Sequence, residues 1–429
     1  MIVSYRRIDE TRDDSAPVWI EMDEVIDINW KRTLVILWVS NFAVTAGMSL
    51  ILPFLPLYIE TLGVHQPQAL DRWSGSIFAI QFVTSVIFQP IWGAMADRFG
   101  RKPMLLRAGI GMGVITTLMG FVTSPFQLLG LRLINGVFSG FISMSVSLQA
   151  STTPTEHSGR ALGTLQTGAI AGSLLGPLVG GFLSETLGFK GVFYLTGALL
   201  ILASLIVFVF VHEPKRTERP KSQSNRTRLH ALRPLLPVFI ASITIQAGMM
   251  TIEPIVTLYA KTIYTGPHLA VMAGLVVATS GFANLIGAPT LGRLSDRIGQ
   301  RRVLIIALIM AMITYIPQAI ATNMTVLLIG RALLGLFIGG MIPSLNVLVK
   351  KKAPANLQAV AFGINSSSVF LGNLIGPLLG SNVAALYSIR SVFYVTMGML
   401  LLNAIYLYLQ RDLDQSPQED LHTKELPTN

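Results

Sequence analysis

From Thr33 to Leu409 the chain is a succession of long apolar runs separated by short polar breaks, about six runs in each half. A helix that crosses a bilayer needs roughly 20 apolar residues, so each run is of membrane-spanning length. The runs cover 33–59, 73–95, 103–123, 125–149, 161–187 and 191–211, then 234–260, 269–294, 303–321, 326–349, 357–387 and 391–409. With 52% hydrophobic and 13% charged residues and a mean hydropathy of +0.59, the chain has too little polar surface to coat a soluble domain of its length. The expected fold is all-α: a polytopic membrane protein of twelve transmembrane helices in two pseudo-symmetric six-helix bundles.

The two bundles are a duplication. Gly93, Asp97, Arg98 and Gly100 recur 199 positions later as Gly292, Asp296, Arg297 and Gly299, and Arg132, Gly136 and Gly140 as Arg331, Gly335 and Gly339. A shift of 200 carries Pro154, Gly163, Gly172, Gly176 and Pro177 onto Pro354, Gly363, Gly372, Gly376 and Pro377. The halves are therefore expected at 31–212 and 234–410. A linker over 213–233, rich in Lys, Arg, Ser, Asn and Pro, joins them, and polar tails cover 1–30 and 411–429.

The net charge of +10 fits membrane topology rather than nucleic-acid binding. With the N-terminus inside, 26 of the 32 Lys and Arg fall in cytoplasmic segments and four outside, Arg72, Lys190, Lys261 and Arg390. The remaining two, Arg132 and Arg331, lie deep within apolar runs. Both termini are expected in the cytoplasm. No short apolar segment with a small-residue cleavage site precedes the first run, so that run is expected to serve as the insertion signal. There is no Cys, which excludes disulfides, thiolate metal sites and cysteine nucleophiles. No metal-ligand spacing or nucleotide loop is present, and no enzyme or cofactor is implied.

The stretch Gly93-Ala-Met-Ala-Asp-Arg-Phe-Gly-Arg-Lys102 resembles the loop signature between the second and third spans of the major facilitator superfamily. That resemblance covers nearly the whole chain and implies a transporter. In this stretch Gly93 and Gly100 permit close approach and a tight turn, and Asp97 can face a helix N-terminus. Arg98, Arg101 and Lys102 can lock that latch or hold lipid phosphate, and Asp296 and Arg297 repeat the arrangement. Gly172-Ser-Leu-Leu-Gly-Pro-Leu-Val-Gly-Gly181 looks like the span-five signature of the antiporter branch, with Gly172, Gly176, Pro177 and Gly180 forming a flat, bent helix face. Ordinary close packing reads the same residues equally well. The chain as a whole is similar to the twelve-span drug/proton antiporter family, which implies proton-driven efflux of small amphipathic drug-like molecules by a monomer in the bacterial cytoplasmic membrane.

Two charged residues carry the expected coupling. Arg132 resembles the family's span-four arginine. A charge at mid-span costs at least about 2.5–3.5 kcal/mol, so it needs partners, either a coupling role or carbonyls of the bent first span. Glu253 is the only acid well inside a run. Burial makes its charge costly, so it can take a proton from one side and release it when a cation approaches, or stay protonated as a structural bond. Candidate cargo-lining residues are Asn41, Met48, Phe141, Met144, Gln246, Met249, Met250 and Glu253, an adaptable apolar set that core packing also explains. A facilitator or symporter for a sugar or small metabolite shares the fold and is the rival reading.

Overall fold

The computed structural model describes residues 29–213, 230–354 and 357–410. Most of the expected N-terminal tail and linker, and all of the C-terminal tail, lie outside these residues. Among the described residues the regular structure is helical: α1 Trp30–Ile51, α2 Leu55–Thr61, α3 Pro67–Phe99, α4 Arg101–Met119, α5 Pro125–Val137, α6 Phe141–Thr152, α7 Ser158–Phe210, α8 Leu236–Ile252, α9 Val256–Ile263, α10 Leu269–Ile298, α11 Gln300–Ala319, α12 Met324–Lys352, α13 Gln358–Leu386 and α14 Ile389–Leu409. Ten helical runs among the described residues are long and apolar enough to cross a membrane. One of them, α7, is 53 residues long and turns at Gly188 (φ 71°, ψ 164°), so it holds the two spans expected at 161–187 and 191–211. The ten do not include α4, which carries Arg107 inside the run expected at 103–123.

Helix starts follow from local chemistry. Asn29, Ser124, Asn323 and Ser388 each accept a backbone N–H from the first turn of α1, α5, α12 and α14. The first span bends where its prolines remove donors, passing through a 3-10 turn at Leu52–Phe54 into α2.

Gly93–Lys102 is more helical than its polarity suggests. α3 runs through Asp97 and Arg98 to Phe99, α4 starts at Arg101, and Gly100 alone reverses the chain at φ 101°. Gly299 does the same between α10 and α11 at φ 95°. A side chain disfavours that backbone region, which is why glycine recurs at this point of each half.

Duplicated sequence gives duplicated packing. Tyr58 donates its hydroxyl to the Met119 carbonyl at 3.0 Å, and Tyr259 to the Gln318 carbonyl at 2.8 Å. The glycine face of α7 lies on the backbone of α1: a Cβ on Gly172 would stand 2.5 Å from the Phe42 carbonyl oxygen, and one on Gly180 would stand 2.1 Å from that of Leu50. Gly372, Gly376 and Gly380 of α13 press on α8 at Ile243, Ala247 and Thr251 in the same way. Close contact of small residues drives such association, because lipid is as apolar as any helix face. The largest buried apolar cluster belongs wholly to the second half, from Leu232 to Leu407.

The fourth span breaks the symmetry. It is divided into α5 and α6 at 138–140, with Gly140 at φ 113°, whereas α12 runs unbroken through Gly339. Trp92 Nε1 donates to the freed Val137 carbonyl at 2.7 Å, and Arg107 to the Ser139 carbonyl at 3.2 Å. Their counterparts 199 positions on are Leu291 and Ile306, which have no side-chain donor. A break inside the apolar layer persists only where its carbonyls find other partners.

Candidate transport site

The seventh span is interrupted where the chemistry sits. α8 ends at Ile252, Glu253 occupies its C-cap, and Pro254 prevents continuation until α9 begins at Val256. Glu253 thereby faces a cavity of about 450 Å³. Second-half walls come from α8, α10, α11 and α12, with Met249, Met250, Asn284, Tyr315, Arg331 and Ile338 among them. Ile170, Ser173 and Leu174 of α7 supply the first-half wall.

Glu253 is not an isolated carboxylate. Arg331 donates from a terminal guanidinium nitrogen to Glu253 Oε2 at 3.4 Å and from Nε to the Val276 carbonyl at 3.3 Å. The two acidic and basic side chains stand 78 residues apart in sequence, one on the broken seventh span and one on the tenth. Arg132, at the corresponding place in the first half, meets an amide instead of an acid, donating to Gln81 Oε1 at 3.1 Å. It is only 4% exposed, and its Nε and second terminal nitrogen have no hydrogen-bond partner among the described residues. Its bonding partner is on α3, not the bent first span.

Of the cargo residues expected from sequence, Met249, Met250 and Glu253 line the cavity. The others lie outside it. Asn41 and Phe141 are buried, and Met48 and Met144 pack against the first-half core that includes Phe141. Gln246 is held by Asn373 at 2.7 Å. Helix depth can be read from sequence, but the direction a side chain takes around the axis depends on which neighbour covers it.

At the signature face, Glu213 stands on the N-terminus of α4. Its two carboxylate oxygens accept the backbone N–H of Arg101 at 2.6 Å and of Lys102 at 2.9 Å, completing donors that no helical residue can reach. Lys102 Nζ donates to the Phe208 carbonyl at 2.8 Å, and its counterpart Arg301 donates from Nε to the Leu407 carbonyl at 2.9 Å. Both basic residues cover the negative end of the last helix of their half. Asp97, Arg98, Asp296 and Arg297 are exposed, Arg98 lies over the Phe99 ring at 5.2 Å, and a Cβ on Gly93 would meet open space.

At the opposite, distal face the two halves are bolted together. Thr257 Oγ1 donates to the Pro53 carbonyl at 2.6 Å, Lys261 pairs with Glu60, and His268 pairs with Glu185. Glu185 also accepts the Val271 N–H near the start of α10 at 3.3 Å. Gly274 lets α10 approach the Pro177 carbonyl, so Pro177 serves a contact between halves in addition to bending α7.

Sequence reading missed Arg331, Glu213 and the α7 wall. Arg331 is marked in the sequence by its position inside an apolar run and as the counterpart of Arg132, but nothing there pairs it with Glu253. Glu213 follows immediately after the sixth span, with nothing local to mark its partner.

Two membrane-embedded bundles, bolted at one face and enclosing a cavity with an ion pair in its wall, define a membrane transporter. The chain belongs to the Major Facilitator Superfamily, whose family model matches residues 37–272 and 238–427. It is 40% identical over 403 residues to "Multidrug resistance protein MdtG" of Klebsiella pneumoniae (strain 342), covering 92% of this chain and 98% of that protein. It is 40% identical over 391 residues to the protein of the same name from Rahnella sp. (strain Y9602), covering 90% and 95%. Among solved structures, a bacterial homologue of the human lysosomal transporter Spinster, inward-facing and unoccupied, superposes with a TM-score of 0.74 at 15% identity, covering 92% of this chain and 100% of that one. The nucleoside transporter NupG gives 0.71 at 14% identity, covering 88% and 98%. At such identities these two likenesses concern the fold.

Proposed function

We propose that this chain exports small amphipathic drug-like molecules across a bacterial cytoplasmic membrane in exchange for protons, as a monomer working by alternating access. Relatives sharing 40% of their residues over nine-tenths or more of this chain carry the name of multidrug resistance proteins, which supports the cargo class. In this reading the chain crosses the bilayer twelve times, with both termini and the signature face in the cytoplasm. The bolted distal face is then the closed outer gate.

The observation that carries the proposal is Glu253, an acid at a helix break beside a drug-sized cavity. An antiporter needs a group that accepts a proton from one side and gives it up toward the other, and this carboxyl stands at the interface that must open alternately. Arg132 is the second candidate for that coupling. Gly172, Gly176, Pro177 and Gly180 give α7 a surface on which α1 and α10 can rock. Glu213 ties the end of α7 to the start of α4, and the Gly100 corner joins α4 to α3.

The test is proton movement in vesicles containing the purified protein. Adding an amphipathic substrate should drive protons across the membrane in the opposite direction, reported by an enclosed pH dye. If neither cationic nor neutral drugs move protons, the chain carries a metabolite instead.

A further inference from the structure

The cavity holds one feature that proton exchange does not require. Among the described residues lining it, two carry charge, Glu253 and Arg331, and they neutralise one another. The guanidinium is fixed at the back of the wall, because its Nε is bonded to the Val276 carbonyl and its side chain is 5% exposed. The carboxylate stands in front of it at 15%. Apolar side chains of Leu174, Met249, Met250, Leu285 and Leu334 make up much of the remaining lining.

We infer that Arg331 sets the charge selectivity of this cavity: by cancelling Glu253 it lets the site take uncharged amphipathic molecules and those of either sign. The physical reason is the scale of an uncompensated charge. An unpaired charge in a partly buried wall attracts or repels a charged cargo more strongly than the contacts that distinguish one apolar body from another. A lone carboxylate there would make the cavity a cation site, and a lone guanidinium would make it an anion site. The paired cavity is left to discriminate by shape and hydrogen bonding through Asn284, Ser173 and Ser280. The first half offers no such device: Arg132 faces Gln81, and the counterpart of Glu253, placed by the equivalence of Tyr58 and Tyr259, is Leu52.

This inference rests on the cavity being the cargo site, and the test separates the two ideas. Tetraphenylphosphonium and tetraphenylborate have nearly the same shape and opposite charge, so a change in the ratio of their affinities between variants reports the charge of the site. Binding of each is measured to the full-length purified protein at about pH 9. The wild-type chain should bind both. Arg331→Gln should tighten the cation and weaken the anion, each by about tenfold or more, and Glu253→Gln should do the reverse. The double variant Arg331→Gln/Glu253→Gln and the charge-conserving Arg331→Lys should both restore the wild-type ratio. A variant that merely loosens the fold weakens both probes together. If Arg331→Gln moves the two probes in the same direction or leaves their ratio unchanged, Arg331 is structural and the inference falls. If neither probe binds the wild-type chain, the cargo-site reading falls with it, whatever the vesicle experiment shows of proton movement.

Discussion

Lys261 Nζ lies 2.8 Å from both carboxylate oxygens of Glu60, tying the end of α9 in the second half to the end of α2 in the first. An exposed ion pair contributes about 1 kcal/mol at most, so this bridge marks a position more than it supplies stability. If the distal face must open in each cycle, the two residues must separate in each cycle. Because the chain has no Cys, Glu60→Cys/Lys261→Cys introduces the only two thiols. A short bifunctional thiol reagent should join them, stop transport, and be reversed by a cleavable linker's reductant. Full transport by the cross-linked protein would show that this face does not open.

Glu253→Gln keeps the size and hydrogen-bonding reach of the side chain and removes its titration. Proton-driven export should be lost and drug binding partly kept, with cations most affected. The readout is substrate-stimulated proton movement in vesicles alongside equilibrium binding. Export with the wild-type rate and pH dependence would make Glu253 structural and leave Arg132 as the coupling group.

Glu213→Ala leaves two N–H groups at the start of α4 without acceptors. The cost should be about 1 kcal/mol, the usual value of a helix N-cap, seen as a drop of a few degrees in Tm. Glu213→Gln should recover part of it. No change in Tm would mean that water replaces the carboxylate without loss.

If Asp97 works as a latch, Asp97→Asn should lower transport sharply while expression and Tm remain near the wild-type values, because the residue is exposed on α3 and not part of the core. Unchanged export removes the latch role.

Two glycines of α7 should respond in opposite ways. Gly172→Leu drives a side chain into the Phe42 carbonyl and should cost on the order of 1–3 kcal/mol or prevent assembly. A Cβ on Gly163 meets nothing within 4 Å, so Gly163→Ala should be neutral or gain up to about 1 kcal/mol through helix propensity. Heating followed by size-exclusion chromatography ranks the three proteins. Equal tolerance at both positions would contradict the packing of α7 on α1.

The sequence by itself determined the number and length of the apolar runs, the duplication, and the reversal at Gly100 and Gly299. All three depend on local quantities: how many apolar residues fit across a bilayer, and which residue tolerates a left-handed turn. The tertiary structure decided three other matters. It brought Arg331 to Glu253, because two helices meet only when their buried faces are chosen by packing. It set the cavity's first-half wall on α7 instead of the first and fourth spans, since the distal bolts draw α7 toward α10. It broke the fourth span at Gly140 and left the tenth whole at Gly339, because only the first half has Trp92 and Arg107 beside it to take the opened carbonyls.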